Sequence, residues 1–209
     1  MEPDKNFKKV LAAYHGRMAI ENQLMASLQK EEGMKRRDEF LLSVGEDVAT
    51  FLNTLAKSAK SKTILEIGTS YGYSTLWLAE AAQNTGGKVI TLEIDDEKVQ
   101  YAKEKINEAG LSNYVEFRVG DALESIKKAK ETFDFVLVDI WKELYVPCLN
   151  AFYAKLNKGA WVLGDNMLFP PHHHKEAKEY QDHIRNNTNF TSILLPIGSG
   201  IEVSQFNPK

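Results

Sequence analysis

The chain has 209 residues, 43% of them hydrophobic, and a formal net charge of −3 from 26 Lys and Arg against 29 Asp and Glu. That length suits one domain with a sizeable core, and the mildly acidic balance argues against a nucleic-acid or anionic-membrane partner. A single cysteine, Cys148, permits no intramolecular disulfide, Met1–Lys5 lacks the character of a secretory leader, and no apolar run approaches ~18 residues, so a cytoplasmic protein is expected.

Phe7, Val10, Leu11, Tyr14, Met18, Met25 and Leu28 recur at helical spacing. A charged break, Glu31–Asp38, reads as a solvated loop or as a lid over a site. Residues 40–59 read as one or two helices, with Ser43-Val44-Gly45 as an interruption. Residues 1–60 are thus a helical cap on a single domain whose α/β core spans 61–209. From Thr63 onward strands and helices alternate. Expected strands are Thr63–Ile67, Val89–Glu93, Val115–Val119, Phe133–Val138, Ala160–Gly164, Ser192–Leu195 and Ile201–Phe206. Expected helices are Tyr73–Ala82, one capped by Asp95 or Asp96, one opened by Gly120-Asp121-Ala122, Glu143–Leu156 and Lys175–Arg185. This order predicts a seven-stranded, mostly parallel sheet with helices on both faces, its last strand antiparallel through the hairpin at 196–200.

The most informative stretch is Ile64-Leu65-Glu66-Ile67-Gly68-Thr69-Ser70-Tyr71-Gly72-Tyr73-Ser74-Thr75. A strand, a tight glycine turn and a helix start let backbone come close to a bound ligand. Glu93, followed by Ile94 at the end of the next strand, can accept the hydroxyl hydrogens of a ribose. The turn reads G-x-x-x-G, not the G-x-G-x-x-G that places a pyrophosphate on a helix N-terminus, and no phosphate-binding G-x-x-x-x-G-K-[ST] occurs. A nucleoside without phosphates is favoured, and S-adenosylmethionine fits best. Asp121, beside Ala122, can accept from an adenine amino group.

Asp139 and Asp165 fall at strand ends, with Asn166 next to the latter. Two carboxylates and an amide are hard oxygen ligands, suited to Mg²⁺, with Ca²⁺ or Mn²⁺ as the other choices. The plainer alternative is that both acids cap helices. Lys142 follows Asp139 by three positions. An ordinary lysine is a poor base at neutral pH, but desolvation beside a cation lowers its pKa. Trp141 is either an apolar wall of the site or a core residue. Adjacent His172, His173 and His174, on a loop or a helix start, point in different directions and are not read as a metal site; Cys148 is read as buried and inert.

Taken together, Ile64–Thr75, Glu93, Gly120-Asp121, Asp139-Ile140-Trp141-Lys142 and Gly164-Asp165-Asn166 resemble the metal-dependent O-methyltransferases. These comprise catechol O-methyltransferase, the caffeoyl-CoA O-methyltransferases and their bacterial relatives. The resemblance implies a Rossmann-like class I methyltransferase fold. It implies that Gly68, Ser70, Gly72, Tyr73 and Ser74 face the methionine part of the cofactor, with Val44, Ile94, Ala122, Asp139 and Trp141 around it and Glu93 on the ribose. Asp139, Asp165 and Asn166 match the metal ligands and Lys142 the general base. Trp141-Lys142 and Ser43-Val44-Gly45 look more like the catechol enzyme. Gly200-Ile201-Glu202 resembles its Gly-Leu-Glu, which would set Glu202 on the second substrate hydroxyl; Ile140, where that enzyme has histidine, departs from the pattern.

The expected function is metal-dependent transfer of a methyl group to a small, vicinally hydroxylated aromatic acceptor; a homodimer is compatible with the sequence. The alternatives are a caffeoyl-CoA-type or other small-molecule methyltransferase, or a non-catalytic cofactor-binding module. Transfer to nucleic-acid or protein amines is disfavoured by Asp139-Ile140-Trp141-Lys142, which stands where such enzymes carry an Asn/Asp-Pro-Pro-Tyr-like turn. A nicotinamide-dependent oxidoreductase is disfavoured by the glycine spacing.

Overall fold

From Thr63 onward the apolar runs form one sheet. The computed structural model describes residues 4–29, 32–33, 36–169 and 174–209. The strands are β1 (Thr63–Ile67), β2 (Lys88–Glu93), β3 (Val115–Val119), β4 (Phe133–Val138), β5 (Leu156–Gly164), β6 (Phe190–Leu195) and β7 (Ile201–Phe206), in the order β3-β2-β1-β4-β5-β7-β6. Only β7 runs against the others, pairing antiparallel with β5 and β6. The helices are α1 (Lys5–Ser27), α2 (Glu46–Ser58), α3 (Tyr73–Thr85), α4 (Asp96–Glu108), α5 (Ala122–Lys128), α6 (Tyr145–Phe152) and α7 (His174–Arg185). Among the described residues no helix is long and apolar enough to cross a membrane.

Both faces of the central strands are covered, which is why they read as continuous apolar runs. Ile64 and Phe135 pack with residues of α1, α2 and α3, while Leu65, Ile67, Val136 and Val138 pack with Tyr145, Phe152 and Tyr180. β1 lies parallel between β2 and β4, with Ile67 opposite Leu92 on one side and Val138 on the other. The chain order reverses there, so the carboxyl ends of β1 and β4 border the crevice where such sheets bind ligands.

Four expected boundaries move. Residues 40–45 are not helical, because Leu42 and Gly45 take φ of +41° and +84°, although Phe40, Leu41 and Val44 are buried as the apolar pattern required. The helix expected to reach Leu156 ends at Phe152; a short 3₁₀ turn follows and β5 already begins at Leu156. The register of β5 against β4 then shifts between Phe133 and Phe135, with Gly159 at φ +87° in the extra length. β6 starts two residues early, at Phe190. Asp95 is the cap of α4, accepting from the Glu97 and Lys98 N–H groups. Glu31, Met34, Lys35, Pro170, Pro171, His172 and His173 lie outside the described residues; His174 opens α7, with Nε2 2.9 Å from the Leu168 carbonyl.

Candidate active site

β1 delivers the chain into Gly68 at φ +104°, where a Cβ would overlap the carbonyl oxygen of Asp139. Only glycine lets the first turn lie against the end of β4. Ser70, at φ +47°, then turns its N–H onto Glu93 Oε2 at 2.8 Å. Glu93 Oε1 accepts from the Ile94 and Asp95 N–H groups at 2.9 and 3.1 Å. Three backbone donors thus hold this carboxylate at the edge of the crevice. Glu93→Ala is expected to weaken S-adenosylhomocysteine binding, measured by calorimetry, by about 1–3 kcal/mol, the usual effect of losing charge-assisted hydrogen bonds.

Under the same turn lies a second acid. Glu66 is fully buried, and its Oε2 accepts from Thr75 at 2.5 Å and from Thr91 at 2.6 Å; Thr91 is in turn 2.5 Å from the Thr69 hydroxyl in the turn. Burial, opposed by these hydroxyls, pushes its carboxyl from 4.5 up to about 7. A raised acid contributes stability that is present below its unfolded pKa and lost as pH rises through the folded one. The interval from 4.5 to about 7 makes that loss about 3 kcal/mol. Urea titrations from pH 5 to 8 should therefore show Glu66→Gln gaining stability relative to wild type as pH rises. Parallel curves would mean that Glu66 titrates as an ordinary surface acid.

The other end of the crevice is acidic and buried. Asp165 is 1% exposed; its Oδ2 accepts from Asn166 Nδ2 at 3.1 Å, and its Oδ1 has no hydrogen-bond partner among the described residues. Burial, then the charge of Asp139, pushes the Asp165 carboxyl well above the usual range. Neither acid caps a helix: the short turn after β4 has Trp141 at its cap position, without a side-chain bond. Asn166 takes φ +54°, a conformation asparagine tolerates. Two neighbouring carboxylates, one with an orphaned oxygen, and an adjacent amide fit a hard divalent cation. Lys142 is 5% exposed, and its Nζ donates to the Tyr145 hydroxyl at 2.5 Å and to the Asp165 carbonyl at 3.0 Å. Tyr145, kept protonated by burial and by Asp139 and Asp165, donates to the same carbonyl at 3.1 Å.

A cleft of about 770 Å³ joins the two ends, within the range of small-molecule sites. Gly68, Ser70, Glu93, Ile94, Asp121, Ala122, Asp139, Trp141 and Asn166 all line it. Asp121 also caps α5 through Oδ1, which accepts from the Glu124 N–H. Trp141 is half exposed on the cleft, which excludes the core alternative. Asp38, Leu42, Leu144, Phe169 and Ser199 also line it; nothing in their local spacing marks them, because they reach it from segments far apart in sequence, 38–42, the short turn after β4 and the connections after β5 and β6.

Other expected residues stand apart from the wall, Lys142 and Asp165 among them, since both are buried and neither lines the cleft. Val44, Tyr73 and Ser74 are buried, and the Tyr73 hydroxyl meets His15 Nε2 of α1 at 3.1 Å instead of a ligand. Gly72 is the left-handed cap of α3. Glu202 corrects the expectation most clearly. It is fully buried, and its oxygens accept from Arg185 Nε and Nη2 at 2.7 and 2.6 Å, Gln181 Nε2 at 3.0 Å and Ser192 Oγ at 2.5 Å. Strand alternation sends Ile201 and Val203 to the opposite face, so Glu202 faces α7 and not the acceptor. Cys148 is buried, and burial pushes its thiol up to about 12, in keeping with an inert side chain.

The chain is similar to known proteins. The chain is 33% identical over 131 residues to a catechol O-methyltransferase of Niastella koreensis (61% of this chain, 59% of the relative). It is 34% identical over 128 residues to the catechol O-methyltransferase of Mycobacterium tuberculosis (61% and 58%). It therefore spans about three fifths of the length of these two relatives. Caffeoyl-CoA O-methyltransferase 5 of Nicotiana tabacum is 29% identical over 182 residues (77% and 75%). The fold superposes on an O-methyltransferase from Bacillus cereus in complex with SAH, with TM-score 0.77, 24% identity and coverage of 99% and 93%. TomG from Streptomyces achromogenes, in complex with SAM, gives 0.74, 23%, 99% and 92%. At these identities the two structures speak for the fold alone. The family model described as O-methyltransferase matches residues 15–205, and on that span the chain belongs to the O-methyltransferase family.

Proposed function

We propose that the protein transfers the methyl group of S-adenosylmethionine to one hydroxyl of a small aromatic vicinal diol, with a divalent cation, Mg²⁺ by choice. The observation that carries this reading is that one cleft runs from the Glu93 carboxylate to Asp139 and Asn166, next to the buried Asp165 carboxyl. The names of the catechol and caffeoyl-CoA relatives support the acceptor class. S-adenosylmethionine supplies a methyl group already activated on a sulfonium. A divalent cation at Asp139, Asp165 and Asn166 would orient two neighbouring oxygens and lower the pKa of the reacting hydroxyl.

The chain's own groups do the rest. Glu93 and the Gly68–Ser70 backbone fix the nucleoside. Trp141, Leu42 and Phe169, exposed by 50, 42 and 61%, offer apolar walls to a flat ring. Lys142 takes the acceptor proton, its Nζ held by Tyr145 and the Asp165 carbonyl. Since Glu202 faces α7, the preference for a diol rests on the metal cluster. The test measures labelled methyl transfer to catechol, phenol and a hydroxycinnamoyl thioester, with Mg²⁺ and with excess chelator. Catechol with Mg²⁺ should far exceed phenol. Equal transfer to phenol, or full turnover in chelator, would overturn the reading; preference for the thioester would shift it to the caffeoyl-CoA type.

A further inference from the structure

One face of α1 carries Tyr14, Arg17 and Glu21 at i, i+3 and i+7, and each contacts a segment that contributes a neighbouring residue, Ser70, Asp38 or Leu42, to the lining of the cleft. The Tyr14 hydroxyl donates at 2.6 Å to the carbonyl of Tyr71, inside the turn that holds Glu93. The Arg17 guanidinium lies 3.9 Å from the centroid of the Tyr71 ring and 4.8 Å from that of Tyr101 on α4. Its Nε donates to Glu21 Oε1 at 2.6 Å and its Nη2 to the Glu39 carbonyl at 3.2 Å. Glu21 Oε2 then accepts from the backbone N–H of Leu41 at 2.7 Å.

That last bond matters because of what adjoins it. Leu42, the next residue, takes φ +41°, which a branched side chain rarely adopts. It lines the cleft together with Asp38 and Ser43, while the Tyr71 hydroxyl donates to the Asp38 carbonyl at 3.4 Å. A surface helix pair would show long, solvated contacts. Here the Arg17 and Glu21 side chains are only 22% and 15% exposed, and both are used to hold backbone of other elements.

We propose that Arg17 and Glu21 are positioning residues for the methyl donor: they fix the gap between the turn at residues 69–72 and the segment at 38–43, which contribute Ser70 and Asp38, Leu42 and Ser43 to the cleft lining. The proposal rests on the reading that this cleft takes S-adenosylmethionine. Removing the Glu21 carboxylate releases the Leu41 N–H, lets Leu42 relax and widens the cleft, although Glu21 itself does not line it.

The experiment is calorimetric titration of S-adenosylhomocysteine into wild type, Glu21→Ala, Glu21→Gln, Arg17→Lys and Lys57→Met, with thermal unfolding of each in the absence of ligand. Lys57 pairs with Glu80 between α2 and α3, away from the cleft, and reports what a merely structural ion pair does. Glu21→Ala should weaken binding by about tenfold, within the reach of residues that act on a site without touching its ligand. Glu21→Gln keeps the volume and one acceptor for Leu41, so it should lose less. Arg17→Lys cannot lie flat on Tyr71 and bridge two acceptors at once, so it should follow Glu21→Ala. Lys57→Met should lower the unfolding temperature and leave affinity unchanged. Glu21→Gln supplies the reading should Glu21→Ala fail to fold. Affinities of the Glu21 and Arg17 variants within about twofold of wild type, smaller than any coupling expected of such residues, would overturn the positioning role. No binding to wild type would instead overturn the cofactor reading beneath it.

Discussion

Asp165→Ala is expected to take methyl transfer to background while the protein stays folded. The carboxyl is 1% exposed, leaves Oδ1 without a hydrogen-bond partner among the described residues, and has its pKa raised by burial and by Asp139. A buried acid in that condition does not stabilise the metal-free fold, so its removal costs little stability. Its presence makes sense as half of a site whose other half is a cation. A bound cation stabilises developing charge by several kcal/mol, so its loss should cost ~10³-fold or more in turnover. Unfolding provides the companion measurement. Mg²⁺ should raise the midpoint of wild type by linkage, and the Asp165→Ala curve should be the same in Mg²⁺ and in chelator. A variant that keeps a tenth of wild-type turnover would remove Asp165 from the metal site.

The sheet was legible because each central strand is buried on both faces, and helices such as α2 and α7 show one apolar stripe, although Tyr73–Ala82 of α3 is buried all round. Glu93 and Asp165 follow apolar runs that end abruptly, so strand ends, and therefore the carboxylates at the rim, can be placed from spacing alone. Boundaries failed where backbone, not side chains, decides. Leu42 sits at positive φ in a stretch whose apolar residues look helical, and Gly159 lets β5 begin four residues before the strand read from sequence. Glu202 failed for another reason. Its alternation with Ile201 and Val203 was visible, but which face of β7 meets α7 depends on Arg185, Gln181 and Ser192, brought there by two other elements. The grip of α1 on the turn likewise joins Arg17 to Tyr71 and Tyr101, residues too far apart in sequence for any periodicity to connect.

Lys142→Met should lower kcat by ~10²-fold or more, the usual contribution of a positioned general base, with S-adenosylhomocysteine affinity unchanged. Methionine is the apt replacement because it fills the volume of the buried stem and adapts to irregular surroundings. The fold should survive it. Tyr145 still donates to the Asp165 carbonyl at 3.1 Å, so the acceptor shared with Lys142 keeps a donor. Two roles remain to be separated, since an ammonium 3.0 Å from the Asp165 carbonyl can act as a base after losing its proton or as a fixed positive charge beside the two acids. Lys142→Arg distinguishes them. Arginine keeps the charge but does not give up a proton at any working pH. If Lys142 is the base, the arginine variant should be as slow as the methionine one in single-turnover assays, where product release does not intrude. Recovery of most of the rate by arginine would make Lys142 an electrostatic element, with the acceptor proton leaving directly to water.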